Sequence, residues 1–173
     1  REMVDQGLTH VVMEVSSHAV DLRRVDDCSF DMGLFTNLSQ DHLDYHKTLE
    51  NYFQAKKRFF DEILPSGNKT HGHTMIVNRD DLWGQRLLKE VETSIPVRTF
   101  GLESVCDTTV HQYILSLEGI RADISTGERS FTISSPLIGK FNLYNILAAG
   151  AASRSLNIPD EFIRLFKKRS SPC

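Results

Sequence analysis

No stretch of this sequence approaches the ~18 consecutive apolar residues that suggest a membrane-spanning helix, so no membrane span is expected. Cysteine is scarce. Cys28, Cys106 and Cys173 are odd in number and lack metal-ligand spacing. That excludes a paired disulfide frame and a zinc cage, and leaves reduced thiols of a cytoplasmic protein as the expectation. Excess charge of one sign is lacking too. The 20 basic residues face 23 acidic ones, a net charge of -3, which offers no basic face for nucleic acid or an anionic membrane. Internal repeats, low-complexity tracts and a signal or transit peptide are also missing. What remains is the profile of a globular protein that can bury a core, at a length suited to one domain or one domain with an appendage.

The apolar pattern is that of an α/β protein. His10-Val11-Val12-Met13-Glu14-Val15 is short and nearly continuous in apolar character, as expected of a strand buried on both faces. Residues 30–37, 75–78 and 97–100 read as three further strands, and residues 49–63 and 81–92 as helices among them. This alternation predicts a mostly parallel, doubly wound sheet. From residue 108 the texture changes. Residues 109–117, 119–124 and 129–133 are short strands separated by turn-like Glu118-Gly119 and Thr126-Gly127-Glu128, which predicts a small antiparallel ribbon beside the main sheet. An alanine-rich stretch, residues 142–156, predicts a last helix.

One residue breaks the pattern. At about 100° per residue, Leu49, Tyr52, Phe53, Phe59, Phe60 and Ile63 share one face of the 49–63 helix, and Lys56 projects into the middle of it. A charged amine on a buried face must be paired, shifted in pKa or chemically changed. The bland alternative is a snorkelling side chain with its head in water. In parallel sheets, ligands bind beyond the carboxyl ends of the strands. Two such ends are crowded here, one with Glu14, Ser16, Ser17 and His18, the other with Thr36, Asn37, Asp41, His42, Asp44 and His46. Glu14 and His42 would suit a Mg²⁺ or Mn²⁺ ion. An ammonium cannot ligate a cation, but a carbamate formed from Lys56 and CO₂ can, and it removes the buried positive charge. The competing reading is that Glu14 caps the next turn and that residues 41–46 form a solvated polar loop.

Several ordered segments resemble the Mur ligases. They are Met13-Glu14-Val15-Ser16-Ser17-His18-Ala19, then Phe35-Thr36-Asn37-Leu38-Ser39-Gln40-Asp41-His42-Leu43-Asp44-Tyr45-His46, then Tyr52-Phe53-Gln54-Ala55-Lys56. Val77-Asn78-Arg79-Asp80-Asp81 and the run from Gly139 to Ala149 match as well, and the Ser-Ser-His and Asp-Tyr-His runs favour the E-type branch. The resemblance covers residues 1–160, as a central domain, and leaves 161–173 as a non-matching tail. It implies an ATP-dependent ligase that adds a diamino acid, meso-diaminopimelate by preference over lysine, to UDP-N-acetylmuramoyl-L-Ala-D-Glu through an acyl phosphate. It further implies Glu14 and His42 as Mg²⁺ ligands, and Lys56 as a carbamylated lysine beside them. Ser16 and Arg24 match substrate-contacting positions, and Asn142 and Asn145 match positions at the nucleotide. Thr36, Asn37 and Asp41 match the phosphate and substrate side, with Asp41 a catalytic candidate.

The departures set further expectations. At Leu22 some members of the family carry a glutamine that contacts substrate. No Gly-x-x-x-x-Gly-Lys-[Ser/Thr] phosphate loop occurs in these residues. The chain is therefore expected to be a piece of a larger protein, incapable of turnover alone. The competing expectations are a non-catalytic module that binds a nucleotide-sugar or a partner, and a sister ligase such as folylpolyglutamate synthase.

Overall fold

The computed structural model describes residues 2–39, 43–67, 73–92 and 95–159. Short helices α1 (Glu2–Asp5) and α2 (Ser17–Asp21) precede strand β1 (Met32–Phe35). Helices α3 (Leu43–His46) and α4 (Leu49–Arg58) follow, and α4 runs through a π-helical turn (Phe59–Ile63) into α5 (Leu64–Ser66). Then come β2 (Thr74–Asn78), α6 (Leu82–Glu90), β3 (Val97–Phe100), β4 (Thr108–Ser116), β5 (Gly119–Thr126), β6 (Arg129–Ser135) and α7 (Lys140–Ser155).

All six strands form one sheet in chain order. β1, β2 and β3 are parallel, with Leu34 opposite Ile76 and Ile76 opposite Arg98. β4, β5 and β6 are antiparallel. The ribbon is not merely beside the parallel part: β4 joins β3 in parallel through the pair Phe100 and Thr108. The strand alternation divides the core. Met75 and Val77 face one layer with Phe53, Phe59, Phe60, Ile63 and Leu87. Ile76, between them, faces the other layer with Phe100, Ile124, Ile133, Leu143 and Leu147. α4 and α6 thus cover one face, and α7 the other.

Local chemistry explains the helices. Thr48 caps α4 by accepting from the Asn51 amide at 3.1 Å. The π turn adds a residue to the helical turn, so Phe59, Phe60 and Ile63 all stay buried at 8%, 4% and 2% exposure. Asp81 caps α6 by accepting from the Trp83 and Gly84 amides at 3.0 and 2.9 Å. Gly84 permits this close approach: a Cβ there would lie 2.0 Å from the Asn78 carbonyl oxygen.

One expected strand is absent. Residues 10–15 pair with no strand among the described residues, and Val11, Val12 and Met13 are exposed. Apolar character creates a tendency to be buried, but a strand also needs a neighbour that supplies the ladder of hydrogen bonds. Among the described residues nothing pairs with the outer edge of β1, and this run does not dock on it. Part of the polar loop expected at 38–46 is helical, as α3. The tail from residue 161 lies outside the described residues.

Candidate functional site

Of the polar residues that the sequence points to, Thr36 and Asn37 follow the carboxyl end of β1, Lys56 lies on α4, and Asn142 and Asn145 lie on α7. Lys56 is half-buried on α4, and its Nζ sits 5.2 Å from the centroid of the Tyr52 ring. Desolvation pushes its amine below the ordinary lysine value, while the charges of Glu14 and Asp81 pull it partly back. Among the described residues no carboxylate lies within 4.0 Å of this amine, so the two act on it across a gap. The charge of Glu14 thus acts on Lys56 without direct contact, and His42, the third group expected there, lies outside the described residues. Asp81 acts on Lys56 as well, although the pattern reading did not single it out as a site residue. Burial pushes the Asp81 carboxyl up, while the amides of Gly84 and Trp83 and the charge of Lys56 oppose that shift.

Ser16 is the N-cap of α2, its Oγ accepting from the Ala19 amide at 3.1 Å. The exposed Arg24 follows a tight closure in which Arg23 adopts φ 57 and the Arg24 amide donates to the Ala19 carbonyl at 2.8 Å. Leu22, at the C-cap, is 49% exposed. Thr36, half-buried at the end of β1, accepts at its carbonyl from the Asn78 side-chain amide at 2.8 Å, and Asn37 beyond it is exposed. Asp41 and His42 lie outside the described residues.

His46 has a packing role. It is 5% exposed, hydrogen-bonded through Nε2 to the Ser17 hydroxyl at 2.8 Å and stacked on Tyr52 at 5.1 Å. His18 packs against it and against Tyr45, at 5.3 and 4.0 Å between ring centroids. These rings connect the turn bearing Ser16 to the helix bearing Lys56.

On the other side of β2 stands the start of α7. Asn142 donates to the Ile138 carbonyl at 2.8 Å and accepts from the Asn145 amide at 3.5 Å, which leaves the two amides side by side at the helix start. The residue that anchors this turn, Asp80, belongs to the family-like run 77–81, but the sequence pattern gave it no role. Asp80 accepts from the amides of Leu102 (2.5 Å), Glu103 (3.0 Å) and Ser104 (2.9 Å) and from the Tyr144 hydroxyl (3.0 Å). Partners 22 to 64 residues away leave no local trace. Asp81 did leave one, as an acidic residue just before an apolar helical run.

The donor set at Lys56 fits an oxygen-loving divalent ion only in part. Among the described residues no group of three or more His, Cys, Asp or Glu side chains could hold a metal by itself. Glu14 would supply one carboxylate. A carbamate on Lys56 would supply further oxygens, giving the hard donors that Mg²⁺ prefers.

The UDP-N-acetylmuramoyl-L-alanyl-D-glutamate--2,6-diaminopimelate ligase of Geobacter metallireducens is 43% identical over 164 residues, covering 95% of this chain and 32% of the relative. That of Geobacter sulfurreducens is 46% identical over 160 residues, covering 91% and 31%. A solved structure of a ligase of the same name superposes with a TM-score of 0.84 at 28% identity, covering 99% of this chain and 35% of that one. The chain thus spans about a third of the length of the curated relatives that it matches. Residues 1–153 match the family described as the Mur ligase middle domain, and the chain belongs to that family.

Proposed function

We propose that this chain is the central, nucleotide- and metal-handling part of a cytoplasmic ATP-dependent ligase of peptidoglycan precursor synthesis. In this reading the substrate carboxylate of UDP-N-acetylmuramoyl-L-Ala-D-Glu takes the γ-phosphoryl group of ATP. The resulting acyl phosphate is attacked by the amine of meso-diaminopimelate, and phosphate leaves as the amide forms. Such a reaction needs the reacting groups held in line and their negative charge offset.

The observation that carries the reading is the half-buried Lys56, which feels the charges of Glu14 and of Asp81. Its lowered pKa raises the fraction of neutral amine. The neutral nitrogen attacks CO₂, a C–N bond forms, a proton is lost and a carbamate anion remains. The ammonium form balances the two carboxylates, whereas the carbamate adds a third anion and calls for a cation. Glu14, His42 and the carbamate would hold Mg²⁺, which would offset phosphate charge. Ser16 and Arg24 would face the muramyl peptide, with Thr36, Asn37 and Asp41 toward the phosphates and Asn142 and Asn145 at the nucleotide.

The test is a graft. Residues 1–159 replace the matching third of the Geobacter metallireducens ligase. The expected result is ATP-dependent addition of diaminopimelate, lost on Lys56→Ala. A folded chimera without this activity, or one indifferent to Lys56→Ala, would overturn the proposal.

A further inference from the structure

We propose that Asp80 is a positioning residue for the nucleotide end of α7, acting through Tyr144. The inference rests on the reading of Asn142 and Asn145 as nucleotide residues. α7 begins at Gly139 (φ 91) with no side-chain cap, so its first turn takes no orientation from a cap of its own. Two outside ties replace the cap. The Tyr144 hydroxyl donates to Asp80, which also gathers the amides of Leu102, Glu103 and Ser104. Lys140 pairs with Glu103 of the same loop at 2.8 Å. Gly101 lets the loop close on the carboxylate, since a Cβ there would lie 2.7 Å from an Asp80 oxygen.

Burial alone would push the Asp80 carboxyl up, but the hydrogen bonds from Ser104, Leu102, Glu103 and Tyr144 outweigh it and hold the group below its ordinary value. The acceptor is therefore an anion, which makes each of these bonds charge-assisted. Tyr144 stands between Asn142 and Asn145, so fixing its ring fixes the turn that presents both amides. Asp80 also adjoins Asp81, which faces Lys56. One dipeptide at the end of β2 thus sets the spacing between the lysine site and the nucleotide helix, the sort of support that a precise site requires.

The test uses the chimera described above with Tyr144→Phe, and with Asp80→Asn as the harsher variant. Ser155→Ala, which removes a hydroxyl bond at the far end of α7, is the control. Tyr144→Phe is expected to speed amide hydrogen exchange at residues 102–104 and 143–146 about fivefold, the scale of one lost hydrogen bond. Residues 148–155 should be unchanged. ADP with Mg²⁺, titrated while watching the side-chain amides of Asn142 and Asn145, should bind about fivefold more weakly to the variant. Ser155→Ala should alter neither. Exchange that is unchanged at 102–104, or uniformly faster along α7, overturns the proposal. So does equal ADP affinity in the unmutated chimera and Tyr144→Phe. If the unmutated chimera shows no response to ADP at Asn142 and Asn145 while the exchange pattern holds, the nucleotide reading itself fails and Asp80 is only a structural clamp.

Discussion

Met75, Ile76 and Val77 are at most 1% exposed in the second strand of the sheet, whereas Val11, Val12 and Met13 are 62%, 100% and 50% exposed. The two runs are equally apolar. The first lies between β1 and β3, which satisfy its backbone on both edges, and between two helical layers, which take its side chains. The second has no ladder partner among the described residues. Burial in a sheet is a property of the neighbourhood, and an apolar run states only one side of it. Yet Glu14, just beyond the exposed run, still reaches the field of Lys56. The site therefore tolerates irregular backbone on the Glu14 side and relies on β2 for rigidity.

The largest way to break the comparison is truncation in each run. Ile76→Ala is expected to lower unfolding free energy by about 2–5 kcal/mol, the range for fully buried aliphatic side chains. Val12→Ala is expected to stay within about 0.5 kcal/mol of wild type. Urea unfolding checks both, and a costly Val12→Ala would show that the run is covered in solution.

A smaller effect separates the carboxylates at the end of β2 by pH. Asp80 is held below the ordinary value of 3.8 in the folded chain. Its contribution to stability is therefore complete above that value and is lost as pH falls through the lower, folded one. Asp81 is shifted upward by burial, so its ionisation opposes folding by an amount that grows from its ordinary value to the raised one and stays in full above it. Glu50, drawn down to about 2 by the side chains of Arg86 and Gln54, acts in the same direction as Asp80, but it is exposed and salt screens it. Urea midpoints between pH 5 and 2 should fall, and Asp80→Asn should flatten that slope. An identical slope in the variant would count against the clamp.

Much of this was legible in the amino-acid order because the signals were local. The turn pairs at 118–119 and 126–128 delimit β4, β5 and β6, and Lys56 stood out because its helix face was otherwise apolar. What could not be read arises over distance. The π turn at 59–63 answers to the packing of three side chains. Tyr144 and Asp80 are 64 residues apart. His46, in a polar segment that suggested solvent or metal, is buried because Ser17 and Tyr52 receive it.

The most direct test of the account concerns Lys56 itself. The chain is equilibrated with ¹³C-labelled bicarbonate and Mg²⁺ and examined by carbon NMR. The account predicts a carbamate carbon resonance in the wild type that is absent in Lys56→Ala. A wild-type chain without that resonance, or a signal that survives Lys56→Ala unchanged, would contradict it.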